Sequence, residues 1–139
     1  MVWGAFGVNG VLELKKIKTV INLIGYQEIL KSSLKDEIYN IVQNKNEKIF
    51  FQQDNCNIHK SKSTLSFLKK QKKYHILEWP SKSPDLNPIE NIWGHLTYKI
   101  YGNGQRYYSL KELEKAIFKE WELLDKKYLK SLLITFQLK

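Results

Sequence analysis

Asn87-Pro88-Ile89-Glu90-Asn91-Ile92-Trp93-Gly94-His95-Leu96-Thr97-Tyr98-Lys99-Ile100 announces a helix and the face it buries. Asn87 is a favoured N-cap residue, and Pro88 stands at the first helical position, where its missing N–H costs nothing. Ile89, Ile92, Trp93, Leu96 and Ile100 recur at helical spacing and make one apolar stripe. Glu90 falls in the first turn, about 100° round from the centre of that stripe. That angle predicts a place at the rim of the core rather than in open solvent.

Working outward, two more helices follow. Ser109-Leu110-Lys111-Glu112 reads as a capping box, with Tyr108 and Leu113 spaced for a hydrophobic staple. Leu113, Ala116, Ile117 and Trp121 are the inward face, and a last helix from about Lys126 turns Leu129, Leu132, Leu133 and Phe136 inward. Upstream, Pro80 to Asn87 is a Pro- and Ser-rich loop, and His75 to Trp79 a short strand. Ser63 to Lys70 is a short basic helix with Leu65 and Leu68 inward. Ile49-Phe50-Phe51, within Lys48 to Gln53, is a compact buried strand ending at Asp54. Tyr26 to Val42 carries a helical stripe, and residues 2–17 form a hairpin about Asn9-Gly10, its first strand interrupted by Gly4 and Gly7. The order is two strands, helix, strand, helix, strand, then three helices: a mixed α/β layout.

Length and composition agree with one globular domain: 139 residues, 42% hydrophobic and 13% aromatic. No apolar run approaches the ~18 residues of a membrane helix, and no secretory leader is visible. With Cys56 as the single cysteine, no intrachain disulfide can form, and a reducing intracellular setting is expected. Twenty-three basic against fourteen acidic residues give a net charge of +9, which favours a polyanionic partner, nucleic acid first.

Two acids stand out by location. Asp54 sits where a strand runs out, the usual place for functional groups in α/β sheets. Glu90 opens a helix, and the two together would suit a hard divalent cation. Each also has a purely structural reading: Asp54 as the first residue of an Asx-turn, Glu90 as the glutamate of a capping box with Asn87. Spacing alone leaves both readings open. Cys56, His59, His75 and His95 lack the paired spacing of a zinc site.

Phe51-Gln52-Gln53-Asp54-Asn55, with His59 four residues beyond Asn55, resembles the block around the second catalytic aspartate of mariner/Tc transposases. Glu78 to Gly94, reading EWPSKSPDLNPIENIWG, is similar to the same family's block whose glutamate, here Glu90, is its third catalytic acid. Met1 to Phe6 and Ser109 to Trp121 resemble two further blocks, in the right order. The resemblance implies a ribonuclease-H-like mixed sheet flanked by helices. It implies catalytic, metal-ligating roles for Asp54 and Glu90, which would share a cation site. It also implies two Mg²⁺ or Mn²⁺ ions, and excision and reinsertion of a DNA element at TA steps. DNA partners, assembly as a dimer or higher, and nuclear action follow from it in the same way. Asn55 and His59 become supporting residues; His59 either contacts the scissile region or fixes the loop. Lys60, Lys62, Lys69, Lys70, Lys72 and Lys73 are either phosphate contacts or a solvated face.

Two departures matter. Thirty-five residues separate Asp54 from Glu90, one more than is commonest in the family, and the lysine-rich bend at Gln71 to Lys73 is where a loop would absorb it. The family's first catalytic aspartate and its central strand lie upstream of the MVWG strand, and its helix-turn-helix region further upstream still. None of these is among the 139 residues, so residues 1–139 read as part of a DDE catalytic domain. Glu13, Glu28, Asp36, Glu37 and Glu47 do not stand where the first acid belongs. The expectation is therefore a sheet lacking its first, central strand, marginal stability, and no cleavage by this polypeptide alone. The alternative is a basic nucleic-acid-binding module that keeps the scaffold without catalysis.

Overall fold

The computed structural model describes residues 1–18, 20–42, 49–54, 56–70, 74–77, 80, 83 and 86–137, with backbone alone for 35–42 and 137. The chain divides into two compact units: Met1 with Ile17–Ser83, and Val2–Lys16 with Pro84–Lys139. The described strands form two separate pairs, one in each unit.

The hairpin unit begins with β1 (Val2–Gly7) and β2 (Gly10–Lys16), antiparallel with a register shift between Ala5 and Phe6. Gly7 pairs with Gly10, so the turn residues are Val8-Asn9, one position earlier than the Asn-Gly signal suggests. Gly10 enters β2 with φ +130°, a conformation that L side chains rarely adopt. The helices α4 (Pro88–Tyr101), α5 (Leu110–Glu122) and α6 (Lys126–Gln137) complete this unit. Leu14, Ile92, Leu96, Ile100, Trp121, Leu124 and Leu129 form its core, with Val2, Phe6 and Trp93 packed against it. Each such fully buried side chain contributes about 1.5–3 kcal/mol.

Gly4 and Gly7 do not interrupt β1, and Gly4 has a packing role. A Cβ at Gly4 would stand 2.7 Å from Trp121 Cη2 and 2.9 Å from Trp93 Cη2. The two indoles stack with centroids 5.6 Å apart, so the strand is pressed against a pair of rings. Trp121 Nε1 is buried without a hydrogen-bond partner among the described residues.

The helix ends follow local chemistry. Ser109 accepts from Glu112 N, while Glu112 Oε2 accepts from Tyr108 N, one residue before the cap. The staple does not form, because Tyr108 is 91% exposed. Tyr107 Oη donates to Ile100 O at 2.9 Å, which satisfies a carbonyl in the last turn of α4. Beyond it, Asn103 (φ 59°) and Gly104 (φ 72°) take left-handed conformations and end the helical run.

The other unit holds α1 (Leu23–Val42), β3 (Ile49–Phe51), α2 (Asn57–Lys60), α3 (Lys62–Lys70) and β4 (Tyr74–Ile76). Here α1 starts three residues before the sequence pattern, because Asn22 Oδ1 accepts from Gly25 N. β3 and β4 run parallel, Ile49 opposite Tyr74. β3 is not a fully buried strand: Phe50 is 60% exposed, as the period-2 alternation of a half-covered strand requires. Among the described residues of this unit, Tyr26, Leu30, Leu34, Leu68 and Thr64 are buried, so Thr64 rather than Leu65 is the fully buried partner of Leu68 on α3.

Replacing Gly4 by Ala forces one indole to move. The Gly4→Ala variant is expected to lose about 1–3 kcal/mol, read as a lowered urea or thermal midpoint. An unchanged midpoint would show that the Trp93–Trp121 pair yields freely.

Candidate active site

Asp54 leaves the end of β3 through Gln52 and Gln53, and α2 begins just beyond it. Its Oδ1 accepts from Cys56 N at 3.0 Å and lies 2.5 Å from His59 Nδ1. An ionised carboxylate can only accept, so the imidazole Nδ1–H is the donor. Oδ2 has no hydrogen bond among the described residues, and the side chain is 56% exposed. The Asx-type bond to Cys56 is therefore real, yet it uses one oxygen and leaves the other open.

The His59 hydrogen bond is the main reason the Asp54 carboxyl is held below the usual carboxylate range. Cys56 N–H and the His59 charge assist, against a partial burial that pushes the other way. The folded value lies below the unfolded one. The resulting stability is fully present above the ordinary carboxylate range and is lost as pH falls through the lowered value.

His59 is itself fixed. Tyr26 stacks on its ring, centroids 4.1 Å apart, and Tyr26 Oη donates to Gln53 Oε1 at 2.8 Å. Gln53 Nε2 in turn donates to His59 O at 3.0 Å. Burial, first, and then the Asp54 charge push the Tyr26 hydroxyl far up, so it stays a donor. Thr64 Oγ1 donates to Ile58 O, and Ser61 Oγ accepts from Thr64 N, which ties α2 to α3.

Glu90 stands in the first turn of α4, in the other unit. It is exposed rather than at the core rim, because Pro88 and Ile92 take the buried face. Its carboxylate has no hydrogen bond or ion pair among the described residues, and the Asn87 side chain does not cap the helix. The capping-box reading of Glu90 is thereby set aside. Both acids offer free hard oxygen donors, the chemistry that Mg²⁺ and Mn²⁺ prefer, so the residues present fit such an ion.

Of the other residues singled out by sequence, Lys60, Lys62, Lys69 and Lys70 are exposed on α2 and α3. Asn55, Lys72 and Lys73 lie outside the described residues, as do Glu47 and the side chains of Asp36 and Glu37. Glu13 pairs with Lys15 at 3.1 Å. Tyr26 and Gln53 are contributors that sequence reasoning passed over, and Cys56 is one it weighed only as a zinc ligand and set aside. Tyr26 reads as one more apolar position of a helical stripe, and only the fold shows its hydroxyl reaching Gln53.

The family described as DDE superfamily endonuclease matches residues 5–114, a span that includes both acids. The Tc3 transposase of Caenorhabditis elegans is 39% identical over 133 residues, covering 95% of this chain and 39% of that protein. This chain belongs to the mariner/Tc branch of the DDE superfamily endonucleases. It spans about two fifths of that relative's length.

The structure of the Mos1 transposase catalytic domain with Raltegravir and Mg has a TM-score of 0.81 at 18% identity, covering 97% of this chain and 68% of that one. The Mos1 transposase paired-end complex with the left transposon end has a TM-score of 0.77 at 19% identity, covering 97% and 39%. The mariner/Tc chain thus has the ribonuclease-H-like α/β fold that the resemblance implies.

Replacing His59 by Gln removes the main cause of the lowered Asp54 value. The Asp54 carboxyl in His59→Gln is expected to titrate nearer the ordinary carboxylate range, measured by carbon NMR. An unchanged midpoint would assign the lowering to Cys56 N–H.

Proposed function

We propose that this chain is the Asp54- and Glu90-bearing part of the catalytic domain of a cut-and-paste DNA transposase. The observation that carries this reading is Asp54. It is ionised, oriented by His59 and open at one oxygen, and it lies inside the family match. In this role Asp54 and Glu90 are metal-binding carboxylates for Mg²⁺ or Mn²⁺, two ions in the full site; Mg accompanies the Mos1 catalytic domain. Held by these carboxylates, such a metal would supply Lewis-acid activation of a water or 3′-hydroxyl and charge stabilisation for an in-line phosphodiester attack.

The chain's own residues do the positioning. His59 keeps Asp54 charged and turned, and the Tyr26 stack keeps His59 in place. Exposed Lys60, Lys62, Lys69 and Lys70 are phosphate contacts, which position DNA without reading its sequence. The DNA is a transposon end, as in the Mos1 paired-end complex; reinsertion at TA, assembly as a dimer or higher and action in the nucleus belong to the same reading.

The family's first catalytic carboxylate has no counterpart among the 139 residues, and this polypeptide by itself is expected to be inactive. It is expected to bind DNA with an affinity that falls steeply as salt rises, and to leave supercoiled plasmid intact in Mg²⁺. Mg²⁺-dependent nicking that vanishes in Glu90→Gln would overturn the inactivity.

Paramagnetic Mn²⁺ tests the two acids directly. Amide signals next to Asp54 and next to Glu90 are expected to broaden on Mn²⁺ addition, and those next to position 54 to recover in Asp54→Asn. Broadening confined to other acids would refute the assignment and leave the non-catalytic binding module as the better reading.

A further inference from the structure

We propose that Asp54, Cys56 and His59 together form a site for a thiophilic divalent cation of the zinc class. One ligand atom from each residue lies within 4.8 Å of the other two. A four-coordinate zinc ion with bonds of about 2.0–2.3 Å spaces its donors roughly 3.3–3.7 Å apart, so side-chain rotation has to open the 2.5 Å Asp54 Oδ1–His59 Nδ1 pair and set the Cys56 sulfur at that spacing from both. All three belong to a single strand-to-helix turn. Asp54 follows β3, Cys56 is the N-cap of α2, and His59 lies within α2. The Tyr26 stack already fixes the imidazole plane. The ion takes the place of the proton that His59 Nδ1 donates to Asp54 Oδ1; that proton leaves to solvent and the neutral ring keeps its hydrogen on Nε2.

The donor set defines the ion. A thiolate sulfur with an imidazole nitrogen and one carboxylate suits zinc or cobalt and repels Mg²⁺, which keeps to oxygen. On binding, the Cys56 S–H bond breaks, its proton goes to solvent, and the sulfur–metal bond forms. Cys56 and Asp54 are exposed, which leaves an entry path and a fourth position for water. The sequence hid this site because it has none of the paired motifs that announce zinc; one turn of α2 gathers the ligands instead. Binding here is independent of the catalytic reading, although an ion so held would occupy the carboxylate that reading assigns to Mg²⁺.

Cobalt(II) titration of the purified, reduced 139-residue chain tests the site. The expected result is a saturable one-to-one near-ultraviolet band for thiolate-to-cobalt charge transfer, displaced by Zn²⁺ and absent in Cys56→Ser. Asp54→Asn and His59→Gln, with folding checked by circular dichroism, are expected to weaken affinity about tenfold or more, since even partners that merely orient a ligand cost that much. Absence of the band at saturating cobalt, or a band of undiminished affinity in Asp54→Asn, would overturn the proposal.

Discussion

One hydrogen bond, from His59 Nδ1 to Asp54 Oδ1, sets the character of the strand-end turn. It keeps the carboxylate charged, consumes one of its oxygens and turns the other outward. A carboxylate free to rotate would offer a metal two equivalent oxygens and no defined direction. Here direction is supplied by protein, through a chain that runs from Tyr26 to Gln53 to the His59 carbonyl. The brace starts on α1, far from Asp54 in sequence, so the turn is held by the fold of its own unit.

The hairpin unit obeys a different constraint. Two indoles stacked on one another need a flat neighbour, and Gly4 supplies it by having no side chain. That contact presses β1 against the helices that carry the core leucines and isoleucines. It also leaves the Trp121 indole N–H buried without a partner among the described residues, a cost of about 1–3 kcal/mol that the surrounding apolar burial must offset. Glu90 has the opposite setting. It stands exposed at the positive end of α4, where the helix dipole favours its negative charge and no bond among the described residues ties it down.

Hard and soft ligand chemistry meet at Asp54. Its open oxygen suits an oxygen-preferring ion, while Cys56 and His59 beside it suit a thiophilic one. Which ion holds the turn then depends on which metal is available, since the thiolate contributes affinity only to the softer one. The two demands use the same carboxylate, and a single turn of helix is what joins them.

Much was legible from residues alone. The apolar stripe of Ile89 to Ile100, the Ser109 cap and the α6 stripe recur with the helical period, which is a local property and survives any packing. The family was legible because the blocks flanking the two acids are chemically specific and ordered along the chain. What failed were judgements about surroundings. Phe50 is apolar yet exposed, Tyr108 is spaced for a staple yet points to water, and Glu90 lies outside the rim. The hairpin turn fell one residue early, since pairing of Gly7 with Gly10 decides it. Period and cap chemistry are written in neighbours along the chain, and the sequence determined them by itself. Burial, the Tyr26–His59 stack and the Asp54–Cys56–His59 cluster depend on which surfaces folding brings together, so only the tertiary structure could decide them.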